Sequence, residues 1–305
     1  FAAASAGWPA ALERQRAFWT HGGADAAITL LRATGGGDRP HGAAATCRFI
    51  KDAPRDKALY EEMGAAGALR ALIELIRAYA AKEGGASAVL EQAGWAMRCL
   101  LRSVANEEAA EPLGVVPALV AALRRYSGDA LVVTALAFAL GNACCIRASQ
   151  RTLGEEGGVA IAVAALRTHM AREKTAHGLL ALSENLLSLD SNRPLFHAAG
   201  GVPLLLEALD THRTASGAVE TCCNAIANAT RHDDSKAQLI ELGVAGNLLA
   251  ILDEHHSTAA IASSVAATLW SVALNDAARD SMGTPGLRAA LRVLLSSVVS
   301  STTTP

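Results

Sequence analysis

The apolar positions repeat on two scales. Locally they fall at helical spacing: Val116, Leu119, Val120 and Leu123 occupy i, i+3, i+4 and i+7 of one helix face. At longer range the pattern returns every 43 residues, seen in the series Leu123, Leu166, Leu209, Leu252 and Leu295. Gly114, Gly157, Gly200, Gly243 and Gly286 keep the same interval, as do the apolar places Leu153, Phe196, Leu239 and Met282. A polar series runs beside them through Asn142, Asn185 and Asn228, with Ser271 next in line. A fixed period of this length is the mark of a repeat architecture.

Each period reads as three helices. After each glycine comes a medium helix (GVVPALVAAL, GGVAIAVAAL, GGVPLLLEAL, GVAGNLLAIL), with Pro117 and Pro203 at the first turn, where proline is tolerated. A polar break follows, then a long helix apolar nearly all round, such as ALVVTALAFALGNACCI. A short helix carrying Leu153, Phe196 or Leu239 then returns the chain to the next glycine. A helix without a polar face needs cover on both flanks, which neighbouring repeats supply. The glycine allows a sharp turn that a Cβ would resist.

This pattern, G-G-V-P-x-L-L-x-x-L followed by A-x-x-A-I-A-N-A, resembles the armadillo repeat. The resemblance is closest from Gly114 to Gly286 and looser at Gly67, where the repeat runs to 47 residues with an insertion around Lys82–Ser87. At Gly22 it is interrupted by GGGDRPHG. The expected fold is an all-α, right-handed α-solenoid of armadillo-type three-helix repeats, with HEAT-like repeats as the alternative. Residues 1–21 form an N-terminal cap, with a helix at Pro9–Trp19. Residues 22–285 form six repeats starting near Gly22, Gly67, Gly114, Gly157, Gly200 and Gly243, and 286–305 form a partial repeat and tail.

The resemblance implies that the third helices line a concave groove. There Asn side chains hold an extended peptide by its backbone amides, with aromatic residues one turn earlier. By register the paired positions are Trp95 with Cys99, Phe138 with Asn142, Ala181 with Asn185, Asn224 with Asn228, and Ala267 with Ser271. The candidate partner-binding residues are Trp95, Phe138, Asn142, Asn185, Asn224, Asn228 and Ser271. Aromatics recur less often than in the nuclear-import receptors, so a catenin-like or scaffold role fits better. The same Asn residues could instead bond to the neighbouring repeat and hold the stack. Trp270 and Trp95 read as core residues. Arg98, His177, Glu184 and Glu220 lie on or near the same helices, where a charge is ordinarily solvated.

Composition narrows the alternatives. Hydrophobic residues make up 51% and aromatics 4%, so Ala, Leu and Val build the core. The net charge is −2 and no long basic run appears, which argues against a nucleic-acid partner. The apolar stretch Ala130–Ile146 is short for a membrane span and falls in the repeat register, so it reads as a buried helix. Of the six cysteines, Cys144–Cys145 and Cys222–Cys223 are adjacent within apolar helices and read, like Cys47 and Cys99, as small buried hydrophobes. That places the chain inside the cell, in the cytoplasm or on a cytoskeletal, ciliary or organellar assembly. The chain begins at Phe1 without an initiator Met, so no conclusion about a leader follows.

Chemical motifs point nowhere. Asp253-Glu254-His255-His256 and Arg231-His232-Asp233-Asp234 hold metal-ligand residue types, but both read as solvated loops. Gly35-Gly36-Gly37 lacks the Lys-Ser/Thr of a phosphate loop, and Gly154–Gly158 is a repeat junction. No catalytic residue, metal or cofactor is expected. The function expected is a scaffold or adaptor for a protein partner. The alternative is a subunit permanently docked in a larger assembly, which the charged content of 18% and the mean hydropathy of +0.24 mildly favour.

Overall fold

The structure is a computed structural model that describes residues 13, 16–34, 39–82, 85–255 and 258–273. Every regular element among the described residues is helical. The chain divides into two compact units, Phe1–Glu156 and Gly157–Pro305.

In unit one, a kinked turn at Trp19–Gly23, in which His21 and Gly22 leave helical dihedrals, leads into α1 (Ala24–Thr34) and α2 (Pro40–Lys51). There follow α3 (Lys57–Ala65), α4 (Ala68–Ala80), α5 (Ser87–Leu100), α6 (Val104–Ala110), α7 (Val115–Arg125), α8 (Ala130–Ala143) and α9 (Arg147–Glu155). Unit two holds α10 (Gly158–His169), α11 (Glu173–Leu187), α12 (Asn192–Ala198), α13 (Gly201–Thr211), α14 (Ser216–Ala229), α15 (Asp233–Glu241), α16 (Val244–Glu254) and α17 (Ala259–Ala273). Residues 35–38, 83–84 and 256–257, most of the expected N-terminal cap and everything from 274 onward lie outside the described residues; of the cap, residues 16–18 are helical.

The glycines at 22, 67, 114, 157, 200 and 243 all adopt left-handed φ, from 68° at Gly157 to 104° at Gly22 and Gly67. Gly67, Gly114, Gly157, Gly200 and Gly243 each stand directly before a medium helix. A residue with a Cβ resists that conformation, so the glycine interval is a turn interval.

Third helices pack side by side within each unit. In unit one α5 lies between α2 and α8; in unit two α14 lies between α11 and α17. On α8, which packs against α5 and α7, ten of fourteen residues are buried. Small side chains let the helices close up. An ideal Cβ on Gly94 of α5 would stand 2.9 Å from the Ala135 Cβ of α8 and 3.0 Å from the Ala135 carbonyl carbon.

The carbonyls left free at the C-terminal ends of third helices are capped by side chains of the following short helix. Asn106 Nδ2 donates to Leu100 O at 2.9 Å, Gln150 Nε2 to Cys144 O at 2.8 Å, and Asn192 Nδ2 to Leu186 O at 3.1 Å. Arg98 Nε and Ser149 Oγ are buried without a hydrogen-bond partner among the described residues.

Two of the loops expected to be solvated serve the fold instead. His232 caps α15, its Nδ1 accepting from Ser235 N at 3.4 Å, and Asp233 begins that helix. His255 Nε2 donates to Arg213 O of the preceding repeat at 2.6 Å, and Glu254 pairs with Arg213 at 3.0 Å. His256 is outside the described residues.

All six cysteines are free. Cys47, Cys144, Cys222 and Cys223 are buried and Cys99 is half-buried; Cys145, read as buried from the sequence, is exposed. It lies two residues past Ala143, the last residue of α8, where the apolar run ends in a turn.

Candidate functional site

The Asn series lies on the third helices, and in each unit its first use is to join neighbours. In unit one Asn142 Nδ2 on α8 donates to Arg98 O on α5 at 2.9 Å. In unit two Asn228 Nδ2 on α14 donates to Glu184 O on α11 at 2.9 Å. Both bonds reach back 44 residues, to the carbonyl just before the matching place in the preceding repeat. Where the series carries Cys99, the thiol makes the same bond, from Sγ to Lys51 O at 3.7 Å.

Ser271 is too short to reach and works through a relay. Thr230 Oγ1 donates to Ala227 O at 2.7 Å and lies 2.7 Å from Ser271 Oγ, so the Ser271 hydroxyl donates to Thr230. Asn185 stands at the matching place on α11, half-buried. An amide has both a donor and an acceptor; stacking uses the donor of Asn142 and Asn228.

The aromatic positions come together in unit one. The rings of Trp95 and Phe138 lie 5.6 Å apart at a 32° tilt, both half-buried. The Arg98 guanidinium carbon sits 4.9 Å from the Phe138 ring centre and 5.6 Å from that of Trp95, a double cation–π contact. Burial and the like charges of Arg102 and Arg55 lower the pKa of Arg98, against the pull of Cys99 and Tyr60. Arg98 is thus a half-buried cation gripped by two rings, rather than the solvated charge expected from the sequence.

Unit two fills the same slot differently. Asn224 Nδ2 donates to Glu184 Oε1 at 3.1 Å. Burial raises the Glu184 pKa, the Asn224 bond lowers it, and the Glu220 charge raises it again. In both units the side chain one place before the ladder meets a residue 40 positions on, while its own carbonyl receives the ladder residue 44 positions on. Those two contacts fall one turn apart on the next helix.

Neither candidate tryptophan is a core residue. Trp95 is half-buried against Arg98 and Phe138. Trp270, near the end of α17, is 73% exposed.

A second ladder escaped the sequence reading. Tyr126, His169, His212 and His255 also recur every 43 residues, at or just past the C-terminal ends of medium helices. In unit one Tyr126 Oη donates to Lys82 O at 3.1 Å. In unit two His212 Nε2 donates to Met170 O at 2.7 Å, matching the His255 bond to Arg213 O. The interval was there to be counted, but the change from Tyr to His hid it.

Among the described residues no group of three or more His, Cys, Asp or Glu side chains could hold a metal ion, and no single helix is long and apolar enough to cross a membrane. Burial pushes the thiols of Cys47 and Cys223 up to about 12, so neither supplies a thiolate near neutrality.

Fold and faces together define the class: an all-α helical-repeat protein of the α-solenoid kind. No family model matches the chain, and no curated protein matches it. Solved structures do. One engineered protein shares 18% identity at a TM-score of 0.69, over 82% of this chain and 96% of that one. A second engineered protein shares 19% at 0.62, over 90% of this chain and 73% of that one. A structure described as showing that a conserved phosphorylation switch controls the interaction between cadherin and β-catenin shares 16% at 0.56. The match covers 93% of this chain, which spans 62% of that one. At such identities the likeness shows the fold.

Proposed function

We propose that this chain is an armadillo-type, non-catalytic scaffold that holds a segment of a protein partner against the accessible faces of its third helices. The observation that carries the reading is the Trp95–Arg98–Phe138 cluster. Two large rings and a guanidinium are left half-exposed on neighbouring helices, in a protein whose aromatics amount to 4%. Aromatic and Arg side chains are the types enriched where partners bind most strongly. The likeness to a β-catenin structure whose subject is the interaction with cadherin adds general support. The non-catalytic part draws on the helical-repeat fold and on the buried thiols of Cys47 and Cys223, which burial keeps protonated.

The ladder amides have a double role in this reading. On Asn142 and Asn228 Nδ2 holds the stack, which leaves Oδ1 to accept from a bound backbone. The test is photo-cross-linking in the native cell, with a benzophenone side chain replacing Phe138 on the third-helix face or Ala121 on the exposed side of α7. The expected result is a discrete cross-linked partner from position 138 and none from 121. Cross-linking from 121 alone would overturn the reading.

A further inference from the structure

The third-helix face of unit one carries cations that form no ion pair among the described residues. Arg55 and Arg102 are exposed, and each stands three residues beyond the ladder place of its repeat, Asp52 and Cys99. Both act on Arg98 as like charges. Glu13 and Asp56 share a cleft with Arg55, and Asp56 pairs with Arg16 at 3.0 Å; Asp52 pairs with Lys51 at 3.5 Å and Glu61 with Lys57 at 3.8 Å. Among the described residues no carboxylate forms an ion pair with Arg55, Arg98 or Arg102.

Arg98 Nε is, in addition, buried without an acceptor. Burial and two like charges disfavour the charged Arg98 in the free chain, and an anion beside its guanidinium would offset both.

The surroundings select among anions. A guanidinium presents its donors as a planar fork that matches a carboxylate with two parallel bonds. The rings of Trp95 and Phe138 flank that fork, and Leu131, at the start of α8, is 62% exposed. A polar anion alone would leave this apolar surface wet; a peptide with an apolar side chain beside its carboxylate covers both. The net charge of the whole chain is −2, so the attraction is local to this face.

We propose that the Arg55–Arg98–Arg102 cluster is the docking point for an acidic peptide segment of a protein partner, one carboxylate meeting Arg98 and an adjoining apolar side chain lying on Trp95, Phe138 and Leu131. The proposal rests on the reading that partners bind the third-helix face, and it adds the chemistry of the segment.

The test uses the full chain and a labelled glutamate-rich peptide with a central phenylalanine, followed by fluorescence anisotropy. A lysine-rich peptide of the same length is the counterpart. The glutamate peptide is expected to bind, more weakly as salt rises, while the lysine peptide does not. Arg55→Glu and Arg102→Glu together are expected to weaken binding on the order of tenfold or more, with melting unchanged because both residues are exposed. Arg98→Ala should weaken it at least as much. Arg125→Glu, an exposed change on α7, should leave binding as it was.

Equal binding of the two peptides, wild-type binding by the double Arg variant, or an equal loss with Arg125→Glu would each overturn the proposal. Displacement of the peptide by a single-stranded oligonucleotide of equal charge would do the same, pointing to a different class of partner. If the glutamate peptide fails while cross-linking from position 138 still captures a protein, the face stands and the acidic chemistry falls. If cross-linking fails as well, both fall.

Discussion

The two units solve one packing problem with opposite chemistry. At the slot before the ladder, unit one places Arg98 across Phe138, and unit two places Glu184 against Asn224. The backbone beneath is the same: Arg98 O and Glu184 O each receive a ladder amide at 2.9 Å. The difference shows which part of the repeat is scaffold and which part is free to vary. The ladder bond is fixed by the stacking of third helices. The slot beside it needs only two side chains that satisfy one another, and there each unit acquires its own surface. Unit one becomes aromatic and cationic; unit two becomes amide-lined and acidic, with Glu220 adding its charge to Glu184.

The largest effect that separates the units should come from Gly94→Ala. The added Cβ meets backbone as well as the Ala135 side chain, so α5 and α8 must move apart, at a cost of about 1–3 kcal/mol. In unit two a Cβ at Gly217 meets only the His177 ring edge at 3.1 Å, and Gly217→Ala should stay within about 0.5 kcal/mol. Thermal melts of the two variants check the order; equal shifts would mean the close approach of α5 to α8 is not a constraint.

Next come the ladder residues themselves. Asn142→Leu and Asn228→Leu each leave a carbonyl of the preceding third helix without its donor. Each should lower stability by about 1–2 kcal/mol, and by similar amounts, because the bond is the same. Denaturant titrations of the single variants and the pair measure this. A loss in only one variant would show that the ladder is not a common device.

The smallest effect is electrostatic and belongs to unit two. Glu184 has a pKa raised above 4.5 by burial, so the folded chain holds its proton more tightly than the unfolded chain. Its contribution is therefore fully favourable below the unfolded value and is lost as pH rises through the folded one. Glu184→Gln should flatten that part of the stability–pH profile and raise stability at neutral pH by less than about 1 kcal/mol, the half-exposed site being screened. Asn224→Ala should steepen it by removing the amide that holds the pKa down. An unchanged profile in Glu184→Gln would mean that another group titrates there.

Much of the fold was legible because a turn glycine, a core leucine and a ladder amide repeat with one period. Periodicity shows which residues occupy equivalent places. It does not show which carbonyl an equivalent amide reaches, since that depends on the offset between neighbouring helices. So the Asn series could be found by counting, but not its bond to Arg98 O or Glu184 O. The grip of Trp95 and Phe138 on Arg98 was hidden for the same reason: three residues from two repeats meet only once the helices are in place. The places of His212 and His255 follow the same interval as Tyr126, but the change of residue type from Tyr to His masks the series.

The most direct test of the account is hydroxyl-radical footprinting of the full chain, alone and with the partner captured through position 138. The account predicts that oxidation of Trp95 and Leu131 slows in the complex, while the exposed Leu195 on α12 and Leu242 after α15 react as before. Protection of Leu195 or Leu242, with Trp95 and Leu131 unchanged, would contradict the claim that the third-helix face of unit one is where the partner lies.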